Sequence, residues 1–220
     1  MFVIRRLVFV ANAASLALVM SSATTANAEE ASAFLAETYR VISEIRQSGD
    51  YDAEVKRALI ERALGKRLDL ATMSRLALGK QEESFSRSEL SEFIQEYSRF
   101  LSYTYLQEIA WSDPTEAPTI ESAVVDPKTG WVRIGTKAKG RQSLATQRNL
   151  YRATSQFRAE YLLRERHGSW RIAKIRFNGV DLNSAFGAQF ESLLRKSSPE
   201  ELLARLRTLN TRRESENPLE

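Results

Sequence analysis

The chain has 220 residues and a mass of 25.0 kDa, enough for one domain with a sizeable core. With 43% hydrophobic and 27% charged residues, 9 Gly and 5 Pro, it is neither disordered, collagen-like nor of low complexity. The formal charge is +4, Cys is absent and His occurs once, which excludes disulfides, thiolate metal sites, cysteine nucleophiles and paired-histidine zinc sites.

The N-terminus reads as an export signal. Arg5-Arg6 leads into an apolar run from Leu7 to about Met20, followed by Ala26-Asn27-Ala28, the n-region, h-region and small-residue cleavage site of a secretory leader. Cleavage is expected after Ala28, leaving Glu29 first; no Cys follows the apolar run, so a lipoprotein is not expected. No second apolar stretch approaches the roughly 20 residues of a membrane helix. The expected mature protein is exported and periplasmic. Loss of Arg5 and Arg6 leaves 30 basic against 28 acidic residues, about +2, too balanced for a nucleic-acid binder.

Four helices are predicted next. Over 31–48, Phe34, Leu35, Thr38, Val41, Ile42 and Ile45 recur at three- and four-residue spacing, and Gly49-Asp50 ends the run. Asp52 caps a second helix with Val55, Leu59, Ile60 and Leu64 on one face, closed by Gly65. Asp69 opens a third over 70–78, ended by Gly79. Ser86 or Ser88 caps a longer helix to about Trp111, with a stripe of Leu90, Phe93, Ile94, Tyr97, Phe100, Leu101, Tyr105 and Ile109, and Asp113-Pro114 stops it.

The period then changes to two. Thr119–Val125 is strand-like, Asp126–Gly130 is a turn, and 131–137 alternates. The stretch 138–154 is polar and ambiguous. Over 156–166, Phe157, Ala159, Tyr161 and Leu163 share one face, and Arg158, Glu160 and Arg164 the other. His167-Gly168-Ser169 turns into a returning strand, 170–177. Phe186, Phe190, Leu193 and Leu194 mark a further helix, and Pro199 begins a last one with Leu202, Leu203, Leu206 and Leu209. The expected fold is α+β, with helices before and after an antiparallel sheet of about four strands; the resemblance described below implies further that the sheet is curved and that an apolar cavity lies between the layers. One domain spans 29–210, and 211–220 reads as a flexible tail.

Catalytic chemistry is sparse. There is no G-x-S-x-G, Walker loop or G-x-G-x-x-G. His167 reads as an exposed turn residue, Glu82-Glu83 and Glu200-Glu201 as solvated pairs, and Asp69 as an N-cap. The basic run Arg205, Arg207, Arg212 and Arg213 suits a helix C-terminus. The Phe93, Tyr97, Phe100 and Tyr105 stripe reads from its spacing as ordinary core, and the resemblance described below makes a ligand wall an equal alternative.

Four blocks in order carry a resemblance. Leu68-Asp69-Leu70-Ala71-Thr72-Met73-Ser74-Arg75-Leu76-Ala77-Leu78-Gly79 is similar to an F-D-x-x-x-M-(S/A)-R-x-x-L-G segment. Glu89, Phe93, Tyr97, Phe100-Leu101 and Thr104-Tyr105 resemble a helix ending in Leu-x-x-Thr-Tyr. Tyr161-x-Leu163-Arg164, Gly168-Ser169-Trp170-Arg171-Ile172 and Gly179-Val180-Asp181-Leu182 resemble a third run, and Gln189-Phe190 with the Leu-rich final helix a fourth. Together, over about 32–210, they resemble the MlaC / toluene-tolerance family of periplasmic phospholipid shuttles. Lys80-Gln81-Glu82-Glu83 replaces a usual Trp, and Lys174 stands where the family tends to carry Asp.

The resemblance implies a lipid carrier, with no catalytic residue, no metal and no cofactor beyond bound phospholipid. Its pocket wall is expected to include Met73, Leu76, Leu101 and Tyr105 from the helices. From the strands it would include Val132, Ile134, Phe157, Tyr161, Leu163, Trp170, Ile172, Ile175, Phe177 and Val180. Strand alternation lets Trp170/Ile172 and Ile175/Phe177 share a face only across a bulge. The implied partners are an inner-membrane ABC transporter carrying an MCE-domain ring and an outer-membrane lipoprotein–porin complex, with outer-membrane lipid asymmetry as the outcome. A hopanoid could replace phospholipid as the cargo. Two competing functions are a small-ligand enzyme on a ketosteroid-isomerase-like cone, which needs a carboxylate or His aimed into the cavity, and a periplasmic scaffold whose apolar face merely packs.

Overall fold

A computed structural model describes the backbone of residues 11–111, 113–114, 118–141 and 154–215, and side chains over 25–104 (Ala53 aside), 118–138, 158–181 and 183–213. The helices are α1 (Ala11–Gln47), α2 (Ala53–Gly65), α3 (Leu70–Leu78), α4 (Arg87–Trp111), α5 (Leu182–Leu194) and α6 (Pro199–Ser215). A single 3₁₀ segment, Gly79–Ser84, links α3 to α4. The strands are β1 (Asp113–Pro114), β2 (Thr119–Val125), β3 (Val132–Arg141), β4 (Thr154–Arg166), β5 (Ser169–Phe177) and β6 (Val180–Asp181). This is the α+β architecture the period change predicts, with four long strands and two of two residues each.

Capping residues set the helix starts. Asp52 accepts the Val55 amide at 2.8 Å, and Asp69 accepts that of Thr72 at 3.1 Å. Of the two candidate serines before α4, Ser86 is the cap: its Oγ accepts the Glu89 amide and the Glu89 carboxylate accepts the Ser86 amide, a capping box. Gly79 stops α3 at φ +53°, where a side chain would be strained. α1 extends back past the expected start at 31 to Ala11, the first described residue, over a stretch rich in Ala and Leu, which are good helix formers. α6 runs on to Ser215, past the expected end at 210; residues 216–220 lie outside the described residues.

All pairs between the described strands are antiparallel. β4 lies between β3 and β5, β6 extends β5, and both β1 and β2 pair with β3. His167 (φ 52°) and Gly168 (φ 72°) join β4 to β5, and Asn178 (φ 46°) and Gly179 (φ 81°) join β5 to β6. Two successive positive φ values are what a two-residue primed turn requires.

Two bulges shape the sheet. In β5 the register shifts between Leu162 and Leu163, so that Ala173 is the additional residue. Trp170 and Ile172 before it, and Ile175 and Phe177 after it, therefore share the inner face, resolving the parity conflict in the sequence. In β2 the register shifts at Glu121, which keeps Ile120, Ala123 and Val125 opposite Thr136, Ile134 and Val132. Each bulge adds twist, curving the sheet around the helices.

The inner face of the sheet carries Val132, Ile134, Ala159, Tyr161, Leu163, Ile172 and Ile175, all buried. Ala31 and Leu35 of α1, Met73 and Ala77 of α3, Phe93 and Leu101 of α4 and Phe190 of α5 complete one continuous core. α6 closes the far side against α4. Asn210 Nδ2 donates to the Glu96 carbonyl at 2.9 Å and to its carboxylate at 2.8 Å, and Arg213 lies 4.1 Å from the Phe100 ring centroid. Leu209, expected on the α6 stripe, is exposed, because Leu202, Leu203, Leu206 and Asn210 make the buried face. Val55 of α2 is exposed for the same kind of reason: Ile60, Ala63 and Leu64 are the buried side.

Candidate functional site

The seam between α1 and the inner sheet face holds a group of hydroxyls within apolar surroundings. The Tyr39 hydroxyl, from α1, donates to that of Tyr161 on β4 at 2.6 Å and lies 3.5 Å from Thr136 Oγ1 on β3. Thr136 also donates to the Ala159 carbonyl at 3.3 Å, tying β3 to β4. The Tyr39 and Tyr161 rings meet edge to face, 6.0 Å between centroids. Burial pushes the Tyr39 phenol above its ordinary value, and the hydrogen bonds with Thr136 and Tyr161 only partly offset this. A neutral, donating phenol is thus fixed where helix meets sheet. Tyr39 and Thr136 are absent from the expected pocket wall. Thr136 is on the inward parity of β3 and could have been found by alternation; Tyr39, four residues after Leu35 and three before Ile42, could have been found by helical spacing.

The predicted wall residues divide. Met73, Leu101, Val132, Ile134, Tyr161, Leu163, Trp170, Ile172 and Ile175 are buried in the interlayer core, and Phe177 is partly buried at its edge. Leu76 is 46% exposed, so it does not line that core: α3 packs through Met73, Ser74, Ala77 and Leu78, and Leu76 lies on the opposite side of the turn. Val180 is 55% exposed, because β6 is an edge strand of two residues with its side chain turned to solvent. The side chains of Tyr105 and Phe157 lie outside the described residues.

The aromatic stripe of α4 packs largely against other rings. Tyr97 stacks on Phe93 and Phe100 at 5.4 and 5.8 Å, and Phe190 of α5 meets both Phe93 and Tyr97 edge-on at 5.5 and 5.1 Å. This is a helix–helix seam, fixing α5 across α4.

Among the described residues two carboxylates are buried, and both are held in ion pairs. Asp69 caps α3 and lies 3.3 Å from both Arg164 Nε and Arg166 Nη1. Glu96 accepts from Asn210 and pairs with Arg99 at 3.3 Å. His167 is exposed at its turn. Glu82, expected to be solvated, pairs with Arg75. Of the basic run in α6, Arg207 pairs with Glu92 at 2.7 Å and Arg213 donates to Thr104 Oγ1 at 3.0 Å, so these two serve the α4–α6 seam as well as the helix end. Among the described residues no group of three or more His, Asp or Glu could hold a metal ion. Lys174, the departure from the family pattern, pairs with Asp181 at 2.5 Å, and Asp181 caps α5.

Residues 33–208 match the family model described as MlaC protein. The chain belongs to the MlaC family. Among solved structures, this MlaC-family chain is similar to the phospholipid-binding protein from Ralstonia solanacearum, solved in complex with a phospholipid. The TM-score is 0.63 at 15% identity, covering 84% of this chain and 98% of the other. At that identity the likeness establishes a shared fold. A search of curated proteins gives no match. Among the described residues no helix is long and apolar enough to cross a membrane.

Proposed function

We propose that this MlaC-family protein is a non-enzymatic, exported phospholipid carrier, which holds the acyl chains of its cargo between the inner sheet face and α1, α3 and α4. The observation that supports this most directly is the family match over 33–208, joined to a fold shared with a phospholipid-bound protein. Physical chemistry supports it as well. Each buried CH₂ contributes about 0.8 kcal/mol, so a diacyl lipid leaves water only into an extensive apolar enclosure. A carrier needs such an enclosure and no reacting groups. An isomerase-like enzyme would need a carboxylate or His aimed into the cavity, whereas among the described side chains the buried Asp69 and Glu96 are both held in ion pairs and His167 is exposed.

Chains enter when α1 parts from the sheet, a motion that breaks the Tyr39–Tyr161 hydrogen bond and trades helix–sheet contact for lipid contact. Lipid and partner each shift the same opening equilibrium through their preference for one state. The partners are an inner-membrane ABC transporter with an MCE-domain ring and an outer-membrane lipoprotein–porin complex, and the outcome is maintained outer-membrane lipid asymmetry. Signal cleavage after Ala28 is part of this reading. Among the described side chains, residues 25–30 are exposed or half-buried and Ala31 is the first buried one, so cleavage after Ala28 removes none of the described core side chains.

Native mass spectrometry of protein purified from the periplasm tests the proposal. The expected result is a chain beginning at Glu29 with a co-purifying phospholipid. A co-purifying hopanoid would change the cargo, and a uniformly lipid-free chain that takes up no lipid from vesicles would overturn the carrier. Release of free fatty acid in proportion to protein would overturn the non-enzymatic reading.

A further inference from the structure

The outward face of the sheet is strongly basic. On the parity opposite the core, β3 carries Arg133 and Lys137. β4 carries Arg158, Arg164 and Arg166, and β5 carries Arg171, Lys174 and Arg176. The acidic groups among them are Glu160, paired with Arg176 at 3.1 Å, and Glu121 at the β2 bulge, 3.7 Å from Arg158. Three further carboxylates reach this face from its edges: Asp69 at Arg164 and Arg166, Asp181 at Lys174, and Asp126 within Coulombic reach of Arg133. Eight cations thus face five carboxylates, a surplus of three on a chain whose total is +4. Arg133 and Lys137 have no ion-pair partner among the described residues.

Apolar groups are interleaved with these cations. Val124 is 59% exposed, and the Trp131 ring lies 5.6 Å beneath the Arg164 guanidinium.

We propose that this outward sheet face docks the protein on an anionic phospholipid bilayer. The cations stand on three adjacent strands about 4.8 Å apart, an array extended in two dimensions like the phosphates of a headgroup surface. Six of the eight are arginines, whose planar fork matches phosphate oxygens bidentately. Trp131 and Val124 supply the amphipathic and apolar contacts favoured at the bilayer interface. Taking a bilayer rather than an acidic protein as the partner rests on the carrier reading above. Docking through this face concentrates the carrier at its lipid source while the opposite, helical face remains open to solvent.

The test is co-flotation of the mature chain with vesicles of phosphatidylcholine alone or with about 30% phosphatidylglycerol, at about 50 and 300 mM salt, since screening weakens such contacts. Expected is at least about tenfold more flotation with the anionic vesicles at low salt, lost at high salt. Arg133→Glu/Lys137→Glu should reduce it by about tenfold with an unchanged circular dichroism melt. If that pair fails to fold, Arg133→Gln/Lys137→Gln should give a severalfold loss. Equal flotation with neutral vesicles, unaltered flotation of a folded variant, or retention on polyglutamate without flotation would each overturn the proposal. Lipid extracted from the unfloated protein reads the pocket separately. Loaded protein that never floats defeats docking and spares the carrier, whereas empty protein that floats does the reverse.

Discussion

Asp69 Oδ2 lies 3.3 Å from Arg164 Nε, and that carboxylate side chain is 2% exposed while the guanidinium side chain is 28% exposed. The acid is buried and its bases are half in water. The consequence is asymmetric. Removing the acid leaves arginines that can hydrate, whereas removing the arginines strands a buried charge. The same Asp69 caps α3, and its backbone amide donates to the Ile172 carbonyl at 2.8 Å, so the pair anchors α3 to the bulged stretch of β5.

The expected order follows. Asp69→Asn keeps an N-cap acceptor and loses the ion pairs, costing about 1–2 kcal/mol. Arg164→Met/Arg166→Met costs more, about 3–5 kcal/mol, by leaving the carboxylate uncompensated. Urea denaturation ranks the two; the reverse order would show that losing the arginines does not strand the Asp69 carboxylate.

Gly187 sets the contact between α5 and α3. A Cβ there would meet the Ala77 carbonyl oxygen at 2.6 Å, a backbone atom that cannot rotate away. At Gly135 a Cβ would meet Ser122 Oγ at 2.7 Å, which a change of rotamer removes. Gly187→Ala is therefore expected to destabilise by about 1–3 kcal/mol through forced separation of the helices, despite the better helix propensity of Ala. Gly135→Ala should cost under about 1 kcal/mol. Thermal melts of the two variants check this, and a Gly187→Ala protein as stable as the parent would contradict the close approach.

Elements with a long, clean period are legible in the sequence. α3 is bounded by Asp69 and Gly79, as capping chemistry dictates, and the inward set Ala159, Tyr161 and Leu163 follows from alternation alone. The bulge at Ala173 is harder, because an additional apolar residue in an apolar strand leaves no local mark; only the clash of parities between Ile172 and Ile175 betrays it. Asn178-Gly179 is a strong turn signal, but the strand it begins has only two residues and so shows no alternation to mark it. Leu76 misleads because helical spacing from Met73 admits it to the stripe, whereas the position of β5 and α5 selects the other side of α3. The place of Tyr39 on the α1 stripe is legible from helical spacing, but its hydrogen bond to a residue 122 positions away is a relation no local pattern contains.

Acid should act through Asp181. Burial alone would raise this carboxyl, but the Lys174 and Ser184 hydrogen bonds outweigh it and hold the carboxyl below its ordinary range. A lowered folded value means that the stabilisation is fully present above the unfolded value of about 4 and is lost as pH falls through the folded one. Asp181→Asn retains a capping acceptor and loses the charge. Its stability deficit should be present at pH 7 and shrink toward zero as pH falls from about 4 through the lowered folded value. Paired denaturation curves across that range check it, and a deficit independent of pH would mean that the ion pair contributes nothing.

The Tyr39–Tyr161 hydrogen bond is the clearest test of how α1 is held on the sheet. Tyr39→Phe removes the donor and leaves Tyr161 without this partner, at a cost of about 1 kcal/mol. Tyr161→Phe should cost a similar amount. If the two hydroxyls act mainly on each other, the double variant falls short of the sum by about 0.5–1 kcal/mol, the coupling energy of the pair. Because both phenyl rings remain, the edge-to-face contact at 6.0 Å and the apolar surface persist. Lipid should therefore still bind, but exchange faster, since opening the seam no longer breaks this bond. Stopped-flow transfer of a fluorescent phospholipid to acceptor vesicles measures the rate. Unchanged exchange together with a measured coupling energy would place the opening somewhere other than the α1–sheet seam.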